Sequence, residues 1–262
     1  MRAKLEEHAL VLRHVDYGES DVIVELLTRE SGRVGLFARG ARKSNRRFVG
    51  GLGPFTLLRV SFLPGKNDAL GTLSGSEALE FFDGIVGDPL KLAAGAHFLS
   101  LLREALPGGT GADPAFSWVL DVFRWMARCP NDSALLAFGM LRAEIVLLQD
   151  AGLLAALDCC AATGVPIGEL SRAIFVPGEG VFAADTSTLS WEGVALDRAA
   201  LRLLEGVLER KLPDSTPPEA FHALRKALFL TWMATLERPP KTWAPWDEAL
   251  NRALCRGKVD NS

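Results

Sequence analysis

Hydrophobic and polar positions along this chain follow two different periods, and the change comes near residue 84. Residues 8–14 alternate loosely around Leu10 and Leu12. Residues 21–28 place Val22, Val24 and Leu26 on one face and Ile23 and Leu27 on the other, and residues 32–39 set Val34 and Leu36 against Arg33 and Gly35. A period of two is the signature of strands. Tyr17-Gly18-Glu19-Ser20 and Arg29-Glu30-Ser31-Gly32 supply the polar and glycine residues that hairpin turns favour. Runs at 55–63 and 69–82 follow, separated by Pro64-Gly65-Lys66-Asn67-Asp68. Five strands at this spacing predict a small barrel, with Gly50, Gly51 and Gly53 allowing a sharp bend where it closes.

Beyond Gly84 the period becomes 3.6. Asp88-Pro89 offers an N-cap and a proline at the first helical position, and Leu92, Ala96, Leu99, Leu102 and Leu106 then read as one apolar stripe. Pro107-Gly108-Gly109 ends that helix. Asp113-Pro114 starts a second, and residues 131–133 start a third that runs to about residue 153. A helix over about 197–212 carries Leu201, Leu204 and Leu208; another follows Thr216-Pro217-Pro218 with Leu224, Leu228, Trp232 and Leu236 on one face. Residues 157–192, rich in glycine and β-branched side chains, predict a small insertion or hairpin. After Pro239-Pro240 the tail holds Trp243 and Trp246 and has room for one short helix.

Composition adds that the core can be substantial: 262 residues, 48% hydrophobic and 23% charged, fit a folded globular protein. No run of eighteen apolar residues occurs, and Glu6, Glu7, His8 and Asp16 interrupt any signal-peptide core, so a cytoplasmic location with no membrane partner is expected. Cys129, Cys159, Cys160 and Cys255 are too few and too irregular for a disulfide scaffold and read as reduced thiols.

Charge changes the picture more. Between Glu30 and Asp68 lie 37 residues without an acid and with eight bases: Arg33, Arg39, Arg42, Lys43, Arg46, Arg47, Arg59 and Lys66. The other 21 of the 29 bases face all 32 acids, so a net charge of −3 conceals one strongly basic segment. Local fields steer polyanions, which makes this segment the candidate nucleic-acid contact. Several of its bases crowd the loop after the third strand. Guanidinium forks suit phosphate oxygens, and interleaved aromatics can stack bases. Phe37, at strand spacing, reads as core. Phe48, beside Arg46 and Arg47, is open to either role and is carried as a DNA-binding candidate.

Catalytic constellations are sparse. Gly40-Ala41-Arg42-Lys43-Ser44 lacks the glycine that a phosphate loop needs before its lysine. Gly178-Glu179-Gly180-Val181-Phe182-Ala183 has dinucleotide-fingerprint spacing but follows Pro177 and precedes no helix, so it reads as a turn between two short strands. His8, His14, His97 and His222 show no paired metal spacing, and no GxSxG elbow occurs. No catalytic residue, cofactor or metal is expected.

Particular segments carry a resemblance: Ala9-Leu10-Val11-Leu12-Arg13, Asp16-Tyr17-Gly18-Glu19-Ser20-Asp21, Leu26-Leu27-Thr28-Arg29-Glu30-Ser31-Gly32-Arg33 and Ala38-Arg39-Gly40-Ala41-Arg42-Lys43. Pro54-Phe55-Thr56, Gly71-Thr72-Leu73 and residues 77–82 continue it, and Leu147-Leu148-Gln149-Asp150-Ala151-Gly152-Leu153 extends it more loosely into the helical half. The chain resembles the bacterial RecO family of recombination mediators and DNA repair proteins. The resemblance implies an α+β fold: an N-terminal five-stranded OB-fold barrel over 1–84, then a mainly α-helical domain over 85–262 that includes the 157–192 insertion and a 239–262 tail.

It further implies binding of single- and double-stranded DNA, strand annealing, and help in loading RecA onto DNA coated with single-strand-binding protein. RecR and the acidic C-terminal tail of single-strand-binding protein are implied partners, and a nucleoid-associated location follows. An apolar pocket with a base at its edge would receive such a tail; Arg142, Arg225, Lys226 and Trp232 are the candidates. Many relatives carry two CxxC pairs after the Leu-Asp segment, the spacing of a zinc site. Here Cys160 is followed by Thr163, and Ala183, Ala184 and Asp185 occupy the second region, so the insertion is expected to lack zinc. Rival readings are a general single-stranded DNA- or RNA-binding barrel, an interaction scaffold, and a metal-dependent hydrolase.

Overall fold

The computed structural model describes residues 3–44, 46–66, 69–106, 108, 115–184 and 193–256. It divides into two compact units, 1–128 and 129–262. The change of sequence period at residue 84 therefore precedes the packing division, because the first helices fold with the barrel.

In the first unit β1 (Leu5–Tyr17), β2 (Asp21–Thr28), β3 (Gly32–Ala38), the two-residue β4 (Phe48–Val49), β5 (Thr56–Leu63) and β6 (Gly71–Phe81) form one sheet in the order β3-β2-β1-β5-β6-β4. A further parallel pairing of β3 with β6 closes the five long strands into an OB-fold barrel. β1 serves both halves of it. Leu5 to Leu10 pair with β5, Ala9 to Tyr17 pair with β2, and the register shift between Val11 and Arg13 lets the strand bend from one to the other.

Alternation decides what fills the barrel. Val22, Val24 and Leu26 of β2, Leu36 and Ala38 of β3, and Leu58, Val60 and Phe62 of β5 point inward. Leu10 and Leu27, paired across β1 and β2, are buried as well, one step out of phase with that inner set. Glu7, 7% exposed, ties down the next turn: its carboxylate accepts from the Glu30 N–H at 2.9 Å, the Ser31 N–H at 3.0 Å and the Ser31 hydroxyl.

α1 (Asp83–Val86), α2 (Pro89–Ala105) and α3 (Ala115–Arg128) complete this unit. Asp88 caps α2 as expected, accepting from the N–H groups of Leu90 and Lys91. The predicted stripe holds for Leu99, Leu102 and Leu106, which are buried, but is corrected in the first turns: Leu92 and Ala96 are exposed, while Ala94, Gly95 and Phe98 are buried in their place. Apolar residues surround most of α2, so periodicity alone could not choose its inner face. The choice is made by Phe98, whose ring meets Phe123 of α3, which also contacts Phe55 and Phe82 at the foot of the barrel. Asp113 and Pro114, expected to start a helix, lie outside the described residues.

In the second unit α4 (Ser133–Asp150) begins at Asp132, whose side chain accepts from the Ala134 and Leu135 N–H groups. β7 (Ala173–Val176) and β8 (Gly180–Ala183) are the expected hairpin around Gly178-Glu179. β9 (Val194–Leu196) adds to β7 on its other side, giving the order β8-β7-β9. α5 (Arg198–Glu209), α6 (Pro218–Leu236) and α7 (Trp243–Arg256) pack with α4. The tail thus holds a 14-residue helix. Among the described residues no helix is long and apolar enough to cross a membrane.

Burial would raise the Glu7 carboxyl, but its hydrogen bonds from Ser31, Glu30 and Thr28 prevail and hold it below its ordinary 4.5. A depressed native value means stability that is present above the unfolded value and lost as pH falls through the native one. Glu7→Gln is therefore expected to lower unfolding stability by about 1–3 kcal/mol at neutral pH. The gap between variant and parent should close in acid, as read by denaturant titrations at several pH values.

Candidate nucleic-acid interface

β3 ends at Ala38, and the chain turns through Gly40, at φ +65°, into a single helical turn over Ala41–Lys43. Two hydrogen bonds fix this turn to the β1–β2 connection. The Gly40 N–H donates to Asp21 Oδ1 at 2.7 Å, and the Arg42 N–H donates to the Ser20 carbonyl at 2.9 Å. Arg47 folds back over the loop, donating to the Arg39 carbonyl at 2.6 Å and, through Nε, to Ser44 Oγ at 3.4 Å. Arg39, Arg42, Lys43, Arg46 and Arg47 are all exposed along this one loop.

Two of the acids nearby, Asp16 and Asp21, are occupied. Asp16 accepts from His14 at 2.9 Å and faces Arg42 Nε at 3.6 Å. The His14 hydrogen bond and the Arg42 charge hold its carboxyl below the usual range, against a small opposing effect of burial. Arg39, Lys43, Arg46 and Arg47 have no acid partner among the described residues. The loop's field is therefore left uncompensated, as polyanion capture requires.

The other predicted bases do not join this group on equal terms. Arg33 lies with Arg103 against Glu25, at 3.4 and 2.8 Å, and donates to the Arg103 carbonyl. It braces β3 against α2. Arg59 pairs with Glu77 on the neighbouring strand at 3.1 Å. Lys66 is exposed in the β5–β6 connection.

Phe48, open to either role, turns out to be core, and Phe37, expected in the core, does not. Phe48 is 3% exposed and belongs to the barrel core, because pairing of β4 with β6, Phe48 opposite Ser76, turns its ring inward. The Arg47 guanidinium reaches it, 5.2 Å from the ring centre. Phe37 falls between the inward Leu36 and Ala38 and so lies on the outer face, half-buried, with Tyr17 edge-on at 5.8 Å and 82°. Sequence reasoning missed Tyr17, whose place opposite Asp21 at the strand end depends on register rather than composition.

In the helical unit two of the four predicted partner residues, Trp232 and Arg225, are corrected. Trp232 is fully buried. Arg225, 4% exposed, lies 2.7 Å from Asp247 of α7, and its guanidinium stands 5.2 and 5.4 Å from the ring centres of Trp243 and Trp246. Burial lowers its pKa, opposed by Asp247 and Glu144. Arg142 donates to the Val207 carbonyl at 2.8 Å and so caps the end of α5. Trp232 and Arg225 hold the unit together from within, Arg142 is half-buried, and Lys226 is exposed. Asp247→Asn would remove one of the two acids that face the buried Arg225, and is expected to cost about 1–3 kcal/mol in denaturant unfolding, less than a fully buried pair because Asp247 is partly exposed and Glu144 remains.

The insertion does not fit a zinc ion. Cys160 is buried, and its thiol accepts the Ala183 N–H at 3.3 Å. Burial would raise it, but hydrogen bonds from Thr163, Ala183 and Ala162 outweigh that and hold it below its ordinary value. Thr163 and Ala183 are not metal-binding side chains, and among the described residues no three His, Cys, Asp or Glu side chains converge. Asp185 lies outside the described residues. Elemental analysis of protein purified without chelator is expected to give far less than one zinc per chain, and chelator should leave the melting temperature unchanged; stoichiometric zinc would overturn the assignment.

Comparison with known proteins agrees with this architecture. Residues 1–82 match the family model for the N-terminal part of recombination protein O, and residues 86–244 match that for its C-terminal part. The chain belongs to the RecO family. The DNA repair protein RecO of Anaeromyxobacter dehalogenans strain 2CP-1 is 37% identical over 234 residues, 87% of this chain and 89% of that protein. The RecO of Myxococcus xanthus is 34% identical over 218 residues, 82% and 86% respectively, and that of Bacillus pumilus 32% over 203 residues, 76% and 75%. The family models meet near residue 84, where the sequence changes period, rather than at the packing division after Arg128.

Proposed function

We propose that this protein is a DNA-binding recombination mediator in DNA repair, working without covalent chemistry. The observation that carries the reading is the loop of five exposed bases, four of them without an acid partner among the described residues. Membership of a family whose named relatives are DNA repair proteins supports it. Phosphates neutralised along this rim repel a second strand less, so two complementary strands can be held close enough to pair. OB-fold barrels commonly take single strands on such a rim.

Family resemblance further supports RecR as a partner, the tail of single-strand-binding protein as a ligand of the helical half, and assistance to RecA on coated DNA. Lys226 is the predicted base that remains accessible to such an acidic tail. The decisive experiment is annealing of complementary strands coated with single-strand-binding protein, without nucleotide or added metal. Rapid annealing is the expected result. Binding without annealing of coated strands would leave only a general single-strand-binding barrel.

If about five bases contact a single strand, log affinity should fall with log salt with a slope on the order of −3.5, and Arg42→Ala with Arg46→Ala should flatten it by about 1.4. Fluorescence anisotropy across a salt series measures both. Loss of the Arg42 to Asp16 pair adds little, since both side chains are exposed and solvent screens their attraction. An unchanged slope in the folded double variant would refute the placement.

A further inference from the structure

From the geometry of the barrel's outer face we infer that Tyr17 and Phe37 form a stacking subsite for an unpaired nucleobase of single-stranded DNA, next to the basic loop. The inference rests on the DNA-binding reading and assigns a task to two residues that reading does not use. Tyr17 is 56% exposed at the end of β1, although aromatic rings usually bury most of their surface. Its neighbour across the sheet is Phe37: β1, β2 and β3 stand side by side, with Val15 opposite Ile23 and Ile23 opposite Phe37. The two rings meet edge to face. One ring of such a pair braces the other, so an exposed face is held in place before any ligand arrives.

The surroundings suit a base with its phosphates. The hydrogen bonds from Gly40 to Asp21 and from Arg42 to Ser20 hold the basic turn against the connection that follows Tyr17. A strand whose phosphates follow Arg39, Arg42 and Lys43 therefore passes beside the aromatic pair. Beyond it the same face opens into a groove of about 590 Å³, lined among others by Arg13, Val15, Ile23, Arg33 and Leu70. The groove continues the face in an apolar floor with bases at its sides. Asp21, the acid nearest in register to Tyr17, is engaged with the Gly40 N–H, and Glu25 with Arg33 and Arg103, which reduces repulsion of phosphate. Stacking also accounts for exposure that packing does not, since every base offers a π face whatever the sequence.

The test uses the full chain and two labelled strands of equal length and charge, oligo(dT) and an abasic strand, in anisotropy titrations. Tyr17→Ala is expected to weaken oligo(dT) binding roughly five- to a hundredfold, the range for one lost base stack, with no change in salt slope or in abasic binding. Tyr17→Phe keeps the ring and should bind like the parent. Equal oligo(dT) affinity of Tyr17→Ala and parent would overturn the subsite, as would equal losses on both strands or equal parental affinity for both. A parent protein that binds neither strand would instead overturn the DNA-binding reading itself. A melting curve of Tyr17→Ala, expected to match the parent, separates lost stacking from lost fold.

Discussion

Closure of the barrel rests on a narrow contact, the parallel pairing of Leu36 with Gly71 and Phe37 with Thr72. Everything in the candidate interface depends on it, because it fixes β3 from both sides and so sets which β3 side chains point outward. The approach is close enough to demand glycine. A Cβ on Gly71 would lie 2.5 Å from the Leu63 carbonyl oxygen of β5, backbone that cannot yield cheaply, and 2.7 Å from Leu36 Cδ2 across the seam. Were the seam to slip by one residue, Phe37 would turn inward and Leu36 outward, and the outer face would lose its aromatic floor.

The basic loop gains its direction from the same seam. It leaves β3 immediately after the closing pairs, and Gly40 takes the left-handed conformation that turns the chain back toward the β1–β2 connection. Asp21 then accepts the freed N–H, which orients the turn and also consumes the acid that would most directly compete with phosphate. A surface of positive potential therefore arises from the way the acids are used, not simply from a count of bases. Asp16 works similarly through His14 and Arg42.

This also sets how far the sequence could be read. The five long strands, the Asp88 and Asp132 caps and the hairpin at Gly178 follow from local rules, since alternation, capping and turn chemistry act over a few residues. The basic segment was equally plain, being a matter of composition. The roles of individual side chains within it were not. Phe37 and Phe48 could be told apart only by the β3–β6 and β4–β6 pairings, which join residues far apart in sequence. Arg225 and Trp232 looked like a pocket edge because a base beside leucines on a helix can snorkel or bury alike; the Asp247 carboxylate on α7 decided for burial. Leu92 and Ala96 fall on the wrong face of α2 for a related reason, as its apolar residues outnumber what one stripe can hold.

The insertion holds its turn at Cys160 without the donor set for a metal. The Cys160 thiol still collects backbone N–H groups, from Ala183 and from the turn through Ala162 and Thr163, in the manner of a ligating sulfur whose charge is spread over nearby donors. What a metal would contribute to cohesion is supplied here by apolar contacts. Phe175 and Val181 face one another across β7 and β8 and are both buried, and β9 covers the other edge of β7. A three-stranded sheet with a buried face can stand without a metal, whereas a two-stranded hairpin is marginal in water. The third strand, β9, is therefore the element that lets the insertion stand on its own contacts, and it comes from the segment leading into α5, whose Asp197 cap anchors it at the other end.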